Sequence, residues 1–557
     1  MRSTLAVAAV ALFSACSMSP SPDGGTGGGV AGGGSTTGGG TGGGVTGGGG
    51  ATGGGTTGGG MTGGGGGGIG PIDGGVPRAV LVARTTTIPA CTLYVDAANT
   101  GTADGTVANP FATLNAAVSA ASNDAVICVA QGTYAEELAP QDKYFTLAGG
   151  FQSGMNFTVR DSALYVTKAQ GNTTNKFFYV DDPGPSGSQL TAIDGFEITG
   201  YARGIERTFY VQARFDLTNN YIHDNACTGP MGSREFGAGF VLANVTGTVS
   251  NNVIARNSCG FGGGGAFDEG NGIDNDVTII GNRVEGNRGT EIDDSHGGGL
   301  YLAGDRFLVV GNEFIDNRTP KWGGGLYAGA RPSGGLTTFV RLGWNVYRDN
   351  RAGDSGGGFF CDDSARCVSE HEIYERNCGG NILLDSGNMD TDPTIASFDF
   401  LTNVQALNVD CTAPGPGVVV QKDNLAPDSY VFTNAIFFGN QSNADFVTAC
   451  STCANATVNV SWSSVQTQYA NGGIPVTFAP NNRAPVDPLF VDANAHDFHL
   501  RSTFGHWTPT GMVQDAVSSP LLGAADPARP VPQNPARAGT VGELGAYGDS
   551  PEASFTQ

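Results

Sequence analysis

Between Tyr221 and Asn377 short apolar runs alternate with polar corners at a nearly constant interval. Tyr-Ile-His-Asp-Asn closes at Asn225, Val-Ile-Ala-Arg-Asn at Asn257, Arg-Val-Glu-Gly-Asn at Asn287, Glu-Phe-Ile-Asp-Asn at Asn317 and Val-Tyr-Arg-Asp-Asn at Asn350, with spacings of 32, 30, 30 and 33 residues and a weaker copy at Asn377. A second phrase, a Gly-rich step into an apolar strand, alternates with the first: Gly237-Ala-Gly-Phe-Val-Leu242, Gly263-Gly-Gly-Ala-Phe267, Gly297-Gly-Gly-Leu-Tyr-Leu302, Gly323-Gly-Gly-Leu-Tyr327 and Gly356-Gly-Gly-Phe-Phe360. Two or three short strands per period of about 30, with no helical pairs, predict the coils of a parallel β-helix, because each coil buries its apolar face only by stacking on the next. Glycine suits the corners because it takes positive φ without penalty. The closing asparagines are expected to tolerate the left-handed conformation and to bond neighbouring backbone or stack in a ladder.

The pattern changes at both ends. Arg2 precedes the apolar run Leu5–Phe13 and then Ser14-Ala15-Cys16, which predicts a secretory signal over 1–15 rather than a membrane span. From Asp23 to about Gly75 the chain is mostly Gly with Thr, Ser, Val and Met, a composition that cannot bury a core and predicts a disordered tether over 16–77. A flexible segment of that length spans about 40 Å root-mean-square. The remaining chain is ample for one elongated domain over 78–547 with a closing segment from about 480, then a tail over 548–557.

Phe314-Ile-Asp-Asn317 followed by Gly323-Gly-Gly-Leu326 resembles the repeats of polymorphic outer-membrane proteins and, more widely, right-handed parallel β-helix proteins of the pectin-lyase-like class. Near the start, Leu93-Tyr-Val-Asp96, Asn109–Val118 and Ala125–Tyr134 look like that class's capping helix and first coil, with Leu114, Ala117, Val118 and Ala121 forming one buried helix face. Near the finish, Asp487-Pro-Leu-Phe490, Asp497-Phe-His-Leu500, Ser519-Pro520 and Leu544-Gly-Ala-Tyr547 resemble the closing segment of bacterial surface β-helix proteins, although Leu522-Gly-Ala-Ala525 departs from the usual Ile-Asp-Ala-Gly. The resemblance implies an all-β, right-handed parallel β-helix. Cys16 after small residues resembles the lipobox of bacterial lipoproteins, with Phe13 departing from its preferred Leu, Val or Ile. Ser17 after it points to the outer membrane or cell surface, or to secretion if Cys16 is not acylated.

The formal charge of −23 sets nucleic acid aside and favours divalent cations. Without Cys16 ten cysteines remain, an even number that suggests disulfides in an exported chain. Cys227 and Cys259 stand one coil apart. They are expected to bond, as are Cys361 with Cys367 and Cys91 with Cys128, while Cys450-Ser-Thr-Cys453 reads as a local staple.

Two functions fit these features. A polysaccharide lyase or glycoside hydrolase acting on acidic polysaccharide would need clustered acids and a base. The candidates are Asp293, Asp294, His296 and Arg306 for catalysis, and Asp268, Glu269, Asp293 and Asp294 for a calcium ion, with Asp362 and Asp363 farther along. Lys321 and Arg341 are further bases, and Trp322, Tyr301, Tyr327 and Phe359 could stack on sugars, about half of them being expected in the core. The acids stand at different offsets from the Gly step, which favours solvent-facing corner roles. The other function, and the favoured one, is a monomeric cell-surface module for adhesion or glycan contact, which requires no catalytic residue. His223 and His371 read as turn or surface residues, and His496, His499 and His506 have poor metal-ligand spacing.

Overall fold

The computed structural model describes residues 84–555 except 181–186, 209–210, 230–234, 269–274, 291–293, 305, 330–337, 363–364, 388–392, 405–414, 424–425, 441–443, 452–454, 468, 471 and 530–540. The expected signal, Cys16 and the Gly-rich tether therefore lie outside the described residues, as do Glu269, Asp293, Asp363 and Cys453.

Each coil of the body contributes in turn to the same parallel sheets. In one coil Val245–Ser250 joins a 14-stranded sheet, Val253–Ala255 an 11-stranded sheet, Ser258–Cys259 a narrow four-stranded sheet and Gly265–Asp268 a 10-stranded sheet. The chain then returns to the first sheet at Asp276–Ile280. The pairing is in register from coil to coil: Ile254, Val284, Phe314, Tyr347 and Tyr374 follow one another in the 11-stranded sheet, and Leu300, Leu326, Phe359 and Ile382 in the 10-stranded one. These inward columns form the continuous core. The period near 30 is thus one circuit of the coil, and the described architecture is the parallel β-helix that the repeats predict.

The closing asparagines form the predicted ladder, but the left-handed residue is the one before each of them. Asp224, Arg256, Gly286, Asp316, Asp349 and Arg376 have φ between 50° and 64°. That turn swings Asn225, Asn257, Asn287, Asn317, Asn350 and Asn377 inward, where all six are fully buried. A second ladder lies five residues earlier, at Asn220, Asn252, Asn282, Asn312 and Asn345. Asn312 represents the pattern: its Nδ2 donates to Ile279 O at 2.9 Å in the coil before and to Asn345 Oδ1 at 3.0 Å in the coil after. Its own Oδ1 accepts from the backbone and side-chain nitrogens of Asn282, both at 2.9 Å. These contacts satisfy backbone groups that burial would otherwise make costly. The ladder ends on Glu372, whose Oε1 accepts from Asn345 Nδ2 at 3.0 Å. Burial pushes the Glu372 carboxyl well above the usual carboxylate range, against the lowering effect of the Asn345 bonds.

The N-terminal end is plugged by the helix Leu114–Ala120, capped by Thr113 and burying Leu114, Ala117 and Val118. At the other end Phe490–Asp492 pairs antiparallel with Asp497–Leu500. The closing segment packs Phe490, Phe498, Leu500, Leu521, Leu544 and Tyr547 onto Ile373, Phe400, Val404 and Ile436 of the coil flank. Cys91–Cys128, Cys227–Cys259 and Cys361–Cys367 are disulfides, the second joining adjacent coils as its spacing predicts. Cys378 and Cys450 are also disulfide-bonded.

Candidate functional site

The Gly-rich corner that leads into the 10-stranded sheet builds the first site. Gly237, Gly262, Gly297, Gly323 and Gly356 all have positive φ, from 54° to 70°. At Gly262 a Cβ would stand 2.4 Å from Gly265 O and 2.9 Å from Tyr301 Cβ, so no larger residue fits this fold-back. The residue before each glycine is Phe236, Phe261, His296, Trp322 or Ser355. The fold-back lays this row across the outward residues of the sheet, so that Tyr301, Tyr327 and Phe360 are buried although they point away from the interior.

His296 is the centre of this aromatic shelf. It stacks on Tyr327 at 4.6 Å, and Tyr327 stacks on Tyr301 at 4.7 Å. Trp322, Phe261 and Phe360 meet its ring edge-to-face at 5.2, 5.7 and 6.0 Å. Its Nε2 lies 3.4 Å from Asp294 Oδ1, and the Tyr327 hydroxyl donates to Asp362 Oδ2 at 3.2 Å. Lys321 Nζ lies 5.4 Å from the Trp322 ring centroid and pairs with Asp354 Oδ2 at 3.1 Å. His296, Trp322 and Lys321 are half-buried. The shelf thus offers an aromatic plane bordered by carboxylates, an imidazole and an ammonium group, a set that can stack on an apolar ring face and bond its hydroxyl rim.

The fold brings only some of the sequence candidates together. Asp294 and His296 are neighbours. Arg306 stands on the outer face of the 14-stranded sheet and pairs with Asp276 at 2.7 Å, so it belongs to a different face. Arg341, on that same outer face, lies 3.5 Å from Glu370. Asp268 and Asp362 occupy strands three coils apart in the 10-stranded sheet, Gly265–Asp268 and Phe359–Asp362. At about 4.8 Å per strand the two are roughly 14 Å apart, too far to share one cation. Phe359 points into the core rather than toward a ligand, and Tyr301 and Tyr327 are buried behind the shelf. Cys227, Glu235 and Cys259 converge within ligating distance, but the disulfide uses both sulfurs.

A second polar constellation, on the outer face of the 11-stranded sheet, was not legible in the sequence. Lys168, Glu197, Tyr221 and Val253 stand in one outward column. Glu197 Oε1 lies 3.0 Å from Lys168 Nζ and 3.4 Å from His223 Nε2. The other histidine nitrogen meets Asp224 Oδ2 at 2.6 Å, and Arg256 NH2 bonds both Asp224 Oδ2 at 2.7 Å and the Tyr221 hydroxyl at 2.9 Å. The Tyr221 and His223 rings stack at 3.9 Å. The hydrogen bond from His223 and the Lys168 contact hold the Glu197 carboxyl below its usual range, against partial burial.

The three histidines of the closing segment also face carboxylates: His496 meets Glu375 at 2.6 Å, His499 meets Asp497 at 2.7 Å and His506 meets Asp515 at 2.7 Å. His371, read from sequence as a turn or surface residue, stacks between Trp344 and Phe400 and reaches Asp549 at 2.9 Å.

Residues 212–400 match the family model described as a right handed beta helix region. Residues 465–525, spanning the start of the closing segment, match the model described as disaggregatase related. No curated protein matches the chain. Among solved structures, a pectate lyase is similar at 15% identity, over 82% of this chain and 95% of that chain, with a TM-score of 0.37. A pectin methylesterase from Aspergillus niger is similar at 12% identity, over 73% and 94%, with a TM-score of 0.26. A lacto-N-biosidase from Eubacterium ramulus is similar at 11% identity, over 71% and 67%, with a TM-score of 0.25. The stacked parallel sheets and the matched repeat region together make this chain a right-handed parallel β-helix.

Proposed function

We propose that this chain is a cell-surface lipoprotein, acylated at Cys16 and held clear of the membrane by its Gly-rich segment, that presents the β-helix for adhesion or glycan contact. The observation that carries the reading is the shelf: a half-buried Trp322 between the Lys321–Asp354 pair and the His296–Asp294 pair. An aromatic plane with charged groups at its edge suits a sugar ring, which has an apolar face and a hydroxyl rim. Neither contact requires a covalent step.

The test is a screen of the full chain against neutral and acidic polysaccharides, with and without calcium, reading both binding and new chain ends. Binding without cleavage, weakened about tenfold in Trp322→Ala by loss of one stacking contact, is the expected result. Equal binding by Trp322→Ala would remove the shelf from the reading, and failure to bind any glycan would end it. New unsaturated or reducing ends would make the chain a lyase or hydrolase instead. Calcium is a separate proposal, resting on Asp268 and Asp294 with Glu269 and Asp293. An unchanged thermal midpoint on adding calcium would dismiss it.

A further inference from the structure

On the outer face of the 11-stranded sheet, near its N-terminal end, Gln131, Gly132, Thr133, Leu164, Val166 and Lys168 line an open concavity of about 380 Å³. The size suits a small ligand or the end of a larger one. Its lining is of two kinds. One is aliphatic: Leu164 is 66% exposed and Val166 38%. Leu164 does not owe that exposure to a loose loop. Asp161 O accepts from the backbone nitrogens of Leu164 and Tyr165, at 3.1 and 2.7 Å, Asp161 Oδ1 accepts from Ala163 N at 3.2 Å, and Arg84 clamps the same carboxylate. An apolar side chain fixed in water costs free energy that a ligand can recover by covering it.

The other kind is polar and carries spare donors. Among the described residues the Gln131 amide and the Thr133 hydroxyl have no protein partner, and both are exposed. Lys168, in register with Thr133, uses its ammonium group on Glu197 at 3.0 Å. An ammonium has three donors, so Glu197 does not use them all. Glu197 is itself shared with His223 at 3.4 Å.

An ammonium, an amide and a hydroxyl beside exposed aliphatic side chains fit an anionic head on a hydrocarbon body. We infer that this concavity is a ligand site for a carboxylate with an apolar aliphatic body, the chemistry of a peptide C-terminus ending in a residue such as leucine. Lys168 takes the carboxylate with help from Gln131 and Thr133, and Leu164 and Val166 cover the hydrocarbon. The site is on a different sheet from the aromatic shelf and does not depend on the glycan reading.

The test uses the full chain and two matched probes, N-acetyl-L-leucine and N-acetyl-L-leucinamide, followed by NMR or calorimetric titration. Saturable binding of the acid on the order of millimolar is expected for so small a ligand, with the amide about tenfold weaker because it lacks the charge-assisted bond. Lys168→Gln weakens the acid to the level of the amide. Glu197→Gln, which frees the lysine, tightens it, and this gain of affinity cannot come from misfolding. Trp322→Ala leaves it unchanged. Equal binding of the two probes, an unaffected Lys168→Gln, or no saturable binding would each overturn the assignment. D-glucuronate binding as tightly as N-acetyl-L-leucine would overturn the role of the aliphatic side chains.

Discussion

The two halves of the 11-stranded sheet follow different plans. In the N-terminal half the outward column reads Lys168, Glu197, Tyr221, Val253, Arg283 and Glu313, mostly polar, and the charges pair across coils, as Lys168 does with Glu197 and Arg283 with Glu313. In the C-terminal half the same column reads Val346, Ile373, Thr402 and Ile436, and the closing segment packs on it. The corner inside the coil changes later, since Val346 still stands beside Asn345 and Ile373 beside Glu372. Asn220 to Asn345 build the polar ladder, Glu372 ends it, and the next positions are Leu401 and Ala435, both fully buried in the apolar core. One half is therefore stitched from within by amides and meets water unaided. The other turns an apolar outer face that needs a cover, while Asn350, Asn377 and Asn403 still place buried amides inside it. The lesson is that one backbone geometry tolerates either chemistry on its outer face, provided that an apolar face is covered.

Removing residues 487–557 is the harshest way to break this comparison. Phe490, Phe498, Leu500, Leu521 and Leu544 would each forfeit roughly 1.5–3 kcal/mol of burial. Ile373, Val404 and Ile436 would be uncovered, so calorimetry should show a midpoint lower by on the order of 10 °C and sizing chromatography should show association. Asn312→Ala attacks the other half. It strips the acceptor from two nitrogens of Asn282 and should cost about 3 kcal/mol in denaturant titration, with no association, because nothing apolar is uncovered.

Alkaline pH should loosen the cover but not the ladder. Burial alone would lower the pKa of His499, but the bonds to Asp497 and Glu552 outweigh it and raise it to about 9. A raised histidine stabilises the fold fully below its unfolded value near 6.5, and that contribution fades as pH rises through about 9. Hydrogen exchange at strand Asp497–Leu500 should therefore accelerate between pH 7 and 10 more than at Asn282, relative to intrinsic rates, and His499→Gln should abolish the difference.

Glu372 runs in the same direction at lower pH, as a cost of ionisation rather than a lost ion pair. Its folded pKa is raised, so stability falls as pH climbs from the unfolded carboxyl value near 4.3 through the folded one. Glu372→Gln should match the wild type near pH 4 and exceed it at pH 7, in paired melts. The smallest thermal change is expected from Arg283→Val with Glu313→Val, which gives the polar half the outward chemistry of the covered half. Replacing a largely covered pair of this kind by apolar residues is often close to neutral in stability, yet light scattering should reveal new self-association. A monodisperse double variant would show that outward chemistry does not dictate the need for a cover.

Much of this was legible in the sequence because its cause is local. Asn257, Asn287 and Asn317 recur in one phrase at one period, so coils, core columns and one ladder follow from counting, and Cys227 with Cys259 follows from the same period. The earlier ladder escaped notice because its five asparagines follow Asn219, Asn251, Gly281, Gly311 and Trp344, whose shared feature is positive φ rather than residue type. The shelf escaped for a similar reason: Phe236, Phe261, His296 and Trp322 are equivalent only when each is counted back from its glycine. Arg306 seemed near Asp294 because 12 positions separate them, but those positions include the passage from one sheet to another. The Lys168–Glu197–His223 row depends on register between coils, which no single stretch of chain contains.

The asparagine ladders also bear on how such a molecule can change over time. Between Asn252 and Asn345 every rung makes the same bonds to the rung before and the rung after, so a coil duplicated or lost within that stretch leaves no amide stranded. Length there is nearly a free variable of the gene. The helix at one end and the closing segment at the other are not interchangeable in this way. Relatives of this chain should therefore differ by whole multiples of about 30 residues in the middle while keeping both ends.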